Sequence, residues 1–193
     1  DDTFIGEAGN DVYDGGTHTI ADVLDYSAAG GLIRVNLAND TATSDGYGGS
    51  DQIQNIEVIV GTDKNDTIRG DAQDNIFYGG LDNDILKGAG GDDTLSGGGG
   101  KDIVYGDAGN DTFDGNDDAN DTYFGGTDVD VMNYSAVGDI VVDLSNGTVS
   151  GVDVGVDQVS QIEVYKGGAG RDTFIGDGNN STFYGNGGND TFF

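Results

Sequence analysis

GTDKNDTIR GDAQDNIFY GGLDNDILK GAGGDDTLS GGGGKDIVY GDAGNDTFD, residues 61–114, divides into six consecutive nine-residue units, each opening on Gly. Within a unit the second to fifth places hold small or turn-forming residues, the sixth is usually Asp and the eighth is apolar. A ten-residue variant, GNDDANDTYF, follows from Gly115, and GGTDVDVMN follows from Gly125. The register returns in GGAGRDTFI, GDGNNSTFY and GNGGNDTFF, which start at Gly167, Gly176 and Gly185. At the front, DDTFI is the tail of one unit, GEAGNDVYD from Gly6 is complete, and GGTHTIADVLD from Gly15 is stretched. A fixed short period of this kind marks a repeat architecture in which each unit stacks on its neighbours.

The composition sets a problem that the repeat must solve. The 193 residues include 37 Gly and no Pro, Cys or Trp, and 36 acids against 7 bases give a formal charge of −29. Only Glu7, Glu57 and Glu163 are Glu, so the other 33 acids are Asp, whose short arm keeps its carboxylate near the backbone and favours turns. Low hydrophobicity with high net charge is also the signature of disorder, so something must offset the like charge before the chain becomes compact. Without Cys there are no disulfides, thiolate zinc sites or Cys nucleophiles. Seven bases cannot build the cationic stripe that nucleic acid requires. No apolar run approaches the roughly 18 residues of a membrane span, and no basic segment followed by an apolar one opens the chain.

The pattern G-G-x-G-x-D-x-U-x runs through about two thirds of the chain and resembles the RTX (repeats-in-toxin) family of calcium-binding parallel β-helices. The resemblance implies an all-β fold, a parallel β-roll with calcium ions stacked in its turns. Taken as physics, the opening Gly residues let the chain turn sharply, and the last three residues of a unit make a short strand whose eighth side chain points inward. Two units then make one coil, and units 18 residues apart stack at the strand spacing of about 4.8 Å. The inward ladders are Ile68, Leu86, Val104 on one side and Phe77, Leu95, Phe113 on the other. One buried apolar side chain contributes about 1.5–3 kcal/mol, and ordering nine residues costs several times that. The apolar core alone does not carry the fold.

The same stacking brings sixth-place carboxylates together, where they repel unless a cation lies between them. Calcium takes six to eight oxygen ligands in tolerant geometry, whereas magnesium demands a near-ideal octahedron and holds its water. In the family that the sequence resembles, each calcium takes the sixth-place Asp of two stacked turns and carbonyls from the first four places. By that analogy the ligand pairs are Asp66/Asp84, Asp84/Asp102, Asp93/Asp111, Asp102/Asp121, Asp111/Asp130 and Asp172/Asp190, with Asp11 as the corresponding acid of the front unit. The carbonyl donors are Gly79, Gly80, Gly88, Gly97, Gly98, Gly100, Gly106, Gly109, Gly167, Gly168, Gly170 and Gly185. The Gly70 unit departs from the pattern with Asn75, which still offers an oxygen toward Asp93, and the Gly176 unit departs with Ser181. Counting Asn75/Asp93 gives roughly seven Ca2+ ions, whose fourteen charges reduce −29 to −15.

Two longer stretches interrupt the repeat and are copies of each other. LDYSAAGGLIRVNL aligns with MNYSAVGDIVVDL, and DQIQNIEVIVG with DQVSQIEVYKG. The organisation reads as repeat units over 1–25, an interruption over 26–60, β-roll over 61–133, a duplicate interruption over 134–166 and β-roll over 167–193. Apolar alternation at Ile33, Val35, Leu37 and at Ile140, Val142, Leu144 predicts half-buried strands, as does the file Ile56, Val58, Val60 with Ile162 and Val164. These are expected to be longer strands in wider coils that continue or flank the roll, with a linker as the competing reading. The chain begins and ends inside repeat units, which reads as a fragment.

Little else in the sequence carries chemistry. His18 is the one histidine and is expected in a loop. Carboxylate pairs recur in every turn, so none stands out as a catalytic acid with its partner, and no catalytic residue is assigned. Tyr78, Tyr105 and Tyr184 point outward from ninth places, and Tyr26 and Tyr134 open the interruptions; packing and a sugar-binding patch are both open for them. The resemblance implies a secreted, extracellular bacterial module that folds on binding calcium. It would assist type I secretion and folding of a larger effector, most like a toxin, and is not itself an enzyme. Partners would be calcium, the type I secretion machinery and, through the parent protein, a target-cell membrane or surface glycan. Two other readings are a calcium-stiffened segment of an adhesin or surface-layer protein, and a repeat module attached to a polysaccharide-modifying enzyme.

Overall fold

The computed structural model describes residues 1–17 and 20–193, and His18 lies outside the described residues. Among them the chain is all β, with one 3-10 turn at Leu37–Asn39 and no helix long and apolar enough to cross a membrane. Successive repeat units send their strands alternately to two facing sheets. Thr67–Arg69, Ile85–Gly90, Ile103–Ala108 and Thr122–Thr127 lie side by side in one; Ile76–Gly80, Thr94–Gly98, Thr112–Asp114 and Val131–Asn133 lie side by side in the other. Every one of these pairings is parallel, with Leu86 opposite both Ile68 and Val104, and Leu95 opposite both Phe77 and Phe113. This is the alternation between two sheets that an 18-residue coil predicts, and the fold is a parallel β-roll.

The inward ladders run further than the regular repeats. One continues from Val104 through Tyr123 to Val159, and the other joins Leu24, Ile59, Phe77, Leu95, Phe113, Met132 and Tyr165. All of these side chains are buried. The core is therefore two single files of side chains back to back, held in register by the sheets.

The two sheets are unequal, with nine strands in one and thirteen in the other. The difference comes from the interruptions. Each one puts a three-stranded antiparallel meander into the larger sheet where a regular coil places one strand. In the first copy the strands are Ile33–Asn36, Thr41–Asp45 and Asp51–Gln54; in the second they are Ile140–Asp143, Thr148–Gly151 and Gly155–Ser160. Ile33–Asn36 pairs in parallel with the coil ahead, Thr67–Arg69, and Asp51–Gln54 pairs with the coil behind, Val12–Asp14. The interruptions thus continue the roll, but the expectation of longer strands is corrected: these strands have four to six residues. Tight reversals at residues in left-handed backbone, Asp40 and Gly46 in the first copy and Gly147 and Gly155 in the second, divide the sequence into short antiparallel pieces.

Ile33, Val35, Ile140 and Val142 face inward as the alternation predicts. In the second apolar run Ile56, Val58 and Ile162 are buried as expected, but the ladder residue of the strand Val58–Val60 is Ile59, because that strand takes the register of a repeat unit opposite Leu24 and Phe77. Tyr165 holds the same place in the duplicate. Tyr26 and Tyr134 are fully buried, and their rings occupy the space left open at Gly6 and Gly115, where any Cβ would collide with them.

Candidate metal centre

The turn before each strand aligns its sixth-place residue with that of the next coil, and the two form a repeated hydrogen bond. The Asp66 N–H donates to Asp84 Oδ1 at 2.7 Å, that of Asp84 to Asp102 Oδ1 at 2.7 Å, and that of Asp102 to Asp121 Oδ1 at 2.8 Å. On the opposite edge, Asn75 N–H donates to Asp93 Oδ1 at 2.7 Å, Asp93 N–H to Asp111 at 2.9 Å and Asp111 N–H to Asp130 at 2.9 Å. Asp172 N–H reaches Asp190 Oδ1 at 3.0 Å. All seven pairs expected from the spacing are therefore brought together. Apart from Asp190, which is half-buried, these side chains are buried.

The structure also adds members that the nine-residue spacing does not reach. Asp121 N–H donates to Asp157 Oδ1, Asp130 N–H to Glu163 Oε2, and Asp11 N–H to Asp51 Oδ1. Asp22 N–H reaches Glu57 Oε2 in the same way. Two of the chain's three Glu residues thus occupy one topological place, the last turn of each interruption. The repeated DQ and IE pairs of the two copies were the signal for them, hidden because the meander changes the sequence separation from 18 to 36 or 33 residues.

One carboxylate oxygen is spent on the backbone, and the other is left over. Oδ2 of Asp84, Asp93, Asp102, Asp111 and Asp130 is buried with no hydrogen-bond partner. Each faces the opening Gly of its own unit: an added Cβ at Gly79, Gly88, Gly97 or Gly106 would fall against Oδ2 of Asp84, Asp93, Asp102 or Asp111. At Gly79, Gly88 and Gly106 the same Cβ would also meet the carbonyl of the opening Gly one coil on, Gly97, Gly106 and Gly125 respectively. Gly167 and Gly185 stand in the same relation to Asp172 and Asp190. Turns stack so closely that a Cβ on Gly80, Gly98, Gly100, Gly109 or Gly168 would meet a backbone oxygen of the preceding turn, and one on Gly170 the backbone of residues 138–139. The cradle is lined by oxygen and lacks room for a side chain.

Not every turn is left in need. Asp66 Oδ2 accepts the Thr62 N–H at 2.6 Å and Asp172 Oδ2 accepts the Gly168 N–H at 3.0 Å. Asp121 Oδ2 accepts the Tyr123 hydroxyl at 3.1 Å. At Asn75, Oδ1 lies toward the cradle below the Gly88 carbonyl, and Nδ2 is buried without a partner.

Burial pushes the orphan carboxylates well above the ordinary Asp value: Asp84 to about 8, Asp93 and Asp130 to about 7, and Asp102 and Asp111 to about 6. The facing acids raise them further, Asp102 and Asp66 for Asp84, and Asp111 for Asp93. A buried anion without a partner takes up either a proton or a cation. Among the described residues no three His, Cys, Asp or Glu side chains converge on one point. A site here is instead two carboxylates with backbone carbonyls, an all-oxygen set that suits a hard cation.

The sequence pattern of the RTX calcium-binding nonapeptide repeat (4 copies) matches residues 1–17, 54–86, 79–113, 87–120 and 164–193, more than half of the chain. The chain belongs to the RTX family. Calcium binding is the property of these repeats, and the matched segments include four of the five Asp residues named above, Asp84, Asp93, Asp102 and Asp111. The meanders, with Tyr26, Asp51, Tyr134 and Asp157, fall outside the RTX match. A comparison with curated proteins gives no match.

Proposed function

We propose that this calcium-binding β-roll folds only as its turns fill with calcium, and that it serves a larger secreted protein as a module that crosses a type I channel unfolded and folds outside the cell. The observation that carries the reading is the set of five buried, unpartnered Asp oxygens on the two edges of the roll, each aimed at a Gly cradle. Calcium supplies the positive charge that these oxygens lack. The chain's part is to hold both members of each pair one coil apart through the Oδ1 hydrogen bonds, and to keep side chains out of the turn. Because an unfolded chain has no such cradle, binding free energy becomes folding free energy. The proposed ligand pairs are those seven that stack in the structure, with Asn75/Asp93 the weakest because an amide oxygen carries no charge.

Extracellular calcium modules bind in the range of about 10⁻⁴–10⁻³ M, which leaves the chain open in a cytosol and folded outside. Circular dichroism during a calcium titration tests this, with a cooperative gain of β structure expected in that range. A midpoint far below it would remove the argument for folding after export. A second reading, a calcium-stiffened segment of an adhesin or surface-layer protein, draws on the continuity of both sheets through the duplicate copies.

A further inference from the structure

The chain has only seven bases, and three of them, Arg34, Arg69 and Lys87, line one groove on the outer face of the larger sheet. They come from three adjacent strands, with Arg34 opposite Thr67 and Arg69 opposite both Asn36 and Lys87. Among the described residues none of the three makes an ion pair, although the chain carries 36 acids. Asn36, Asn39, Thr41, Thr43 and Thr67 supply amides and hydroxyls along the same walls, and Asp107 is the one acid there. Lys87 is fixed at one end by the Tyr105 ring, whose centroid lies 4.6 Å from Nζ, and Tyr105 stacks in turn on Phe124. The groove encloses about 500 Å³, within the usual size of a ligand site.

The fold does not need these cations. In the duplicate copy, where the second meander packs on its coil in the same register, the equivalent positions are Val141, Ile175 and Phe193. Three unpaired bases gathered against the charge of the whole molecule therefore point to a ligand.

We propose that this groove binds a carboxylate-bearing polysaccharide. Arg forms bidentate hydrogen bonds with carboxylates, and the Asn and Thr side chains match sugar hydroxyls. The strand spacing of about 4.8 Å is close to the length of one sugar residue in an extended chain, so neighbouring strands present bases at the repeat of the ligand. A duplex or a charged bilayer needs a broader basic surface than three residues on an acidic molecule provide.

The test is calorimetric titration of the calcium-loaded chain with a hexamer of a 1,4-linked hexuronate, beside the same hexamer with its carboxyl groups reduced. The charged hexamer binds, binding weakens with added salt, and the reduced hexamer binds at least tenfold more weakly. Replacing all three bases, Arg34→Gln, Arg69→Gln and Lys87→Gln, abolishes binding while the calcium-loaded circular dichroism spectrum stays the same. Lys87→Gln alone, should the triple variant lose its fold, weakens binding several-fold. Lys101→Gln with Arg171→Gln, outside the groove, leaves it unchanged. Equal binding by the reduced hexamer or by the triple variant overturns the proposal. So does tighter binding of oligodeoxythymidine or of phosphatidylserine vesicles through the same three residues.

Discussion

Asp102 shows the division of labour within one side chain. Its Oδ1 accepts the Asp84 N–H and holds two coils in register, whereas its Oδ2 is buried and unpartnered. Asp102→Asn keeps an acceptor for the first task and weakens the second, so the roll still forms in saturating calcium. The calcium concentration at half-folding rises several-fold and equilibrium dialysis counts at least one ion fewer. Gly97→Ala tests the cradle with no change of charge, because the new Cβ presses on the Asp102 carboxylate. Overpacking of that kind costs about 1–3 kcal/mol, and the calcium midpoint from circular dichroism moves upward accordingly. Acid acts on the same oxygens. Asp84 at about 8 and Asp93 and Asp130 at about 7 lie above the unfolded Asp value of about 3.9, so the metal-free fold binds more protons than the unfolded chain. Their contribution to stability is full below about pH 4 and is lost as pH rises through 6 to 8. In excess chelator, therefore, β content grows on going from pH 8 to pH 5, while calcium affinity falls over the same interval as protons compete for the ligands.

At the scale of the element, the two meanders use a different solution to the same charge problem. Asp51 and Asp157 hold the column positions there, and their Oδ2 atoms accept the hydroxyls of Tyr26 and Tyr134, both at 2.7 Å. A phenol stands where a regular turn has an unpartnered oxygen. The DYS of the first interruption and the NYS of the second are explained by this contact together with the turn that follows, in which Ser27 N–H bonds to Asp25 Oδ1 and Ser135 N–H to Asn133 Oδ1. Tyr134→Phe leaves a buried carboxylate oxygen unsatisfied and costs about 1–3 kcal/mol. Denaturant unfolding at saturating calcium measures it, and additional calcium does not restore the loss. Recovery of full stability by calcium alone would show that the Asp157 position behaves like a regular turn. These tyrosines read in the sequence only as aromatics at the entrance of an interruption. Nothing in the spacing paired them with acids 25 and 23 residues away.

Over the whole molecule the repeat was the legible part. A period of nine with Gly first and an apolar eighth residue leads directly to the coil, both sheets and the ladders through Leu86 and Leu95, because backbone pairing at a fixed separation leaves one register that buries those side chains. The meanders were legible as strands and not as antiparallel ones: alternation at Ile33 and Val35 says which face is buried and is silent on strand direction. Asp157 and Glu163 escaped for a related reason, since a column is a property of stacking and the meander breaks its arithmetic. What stacking creates is a molecule of charge −29 whose acids are placed one coil apart. Small-angle scattering in calcium and in excess chelator at neutral pH measures the consequence most directly. The account predicts a radius of gyration near the compact value of about 16 Å with calcium and a rise toward the unfolded value of about 47 Å in chelator, reversed when calcium returns. A chain that stays compact, with undiminished β signal, at zero free calcium would contradict it.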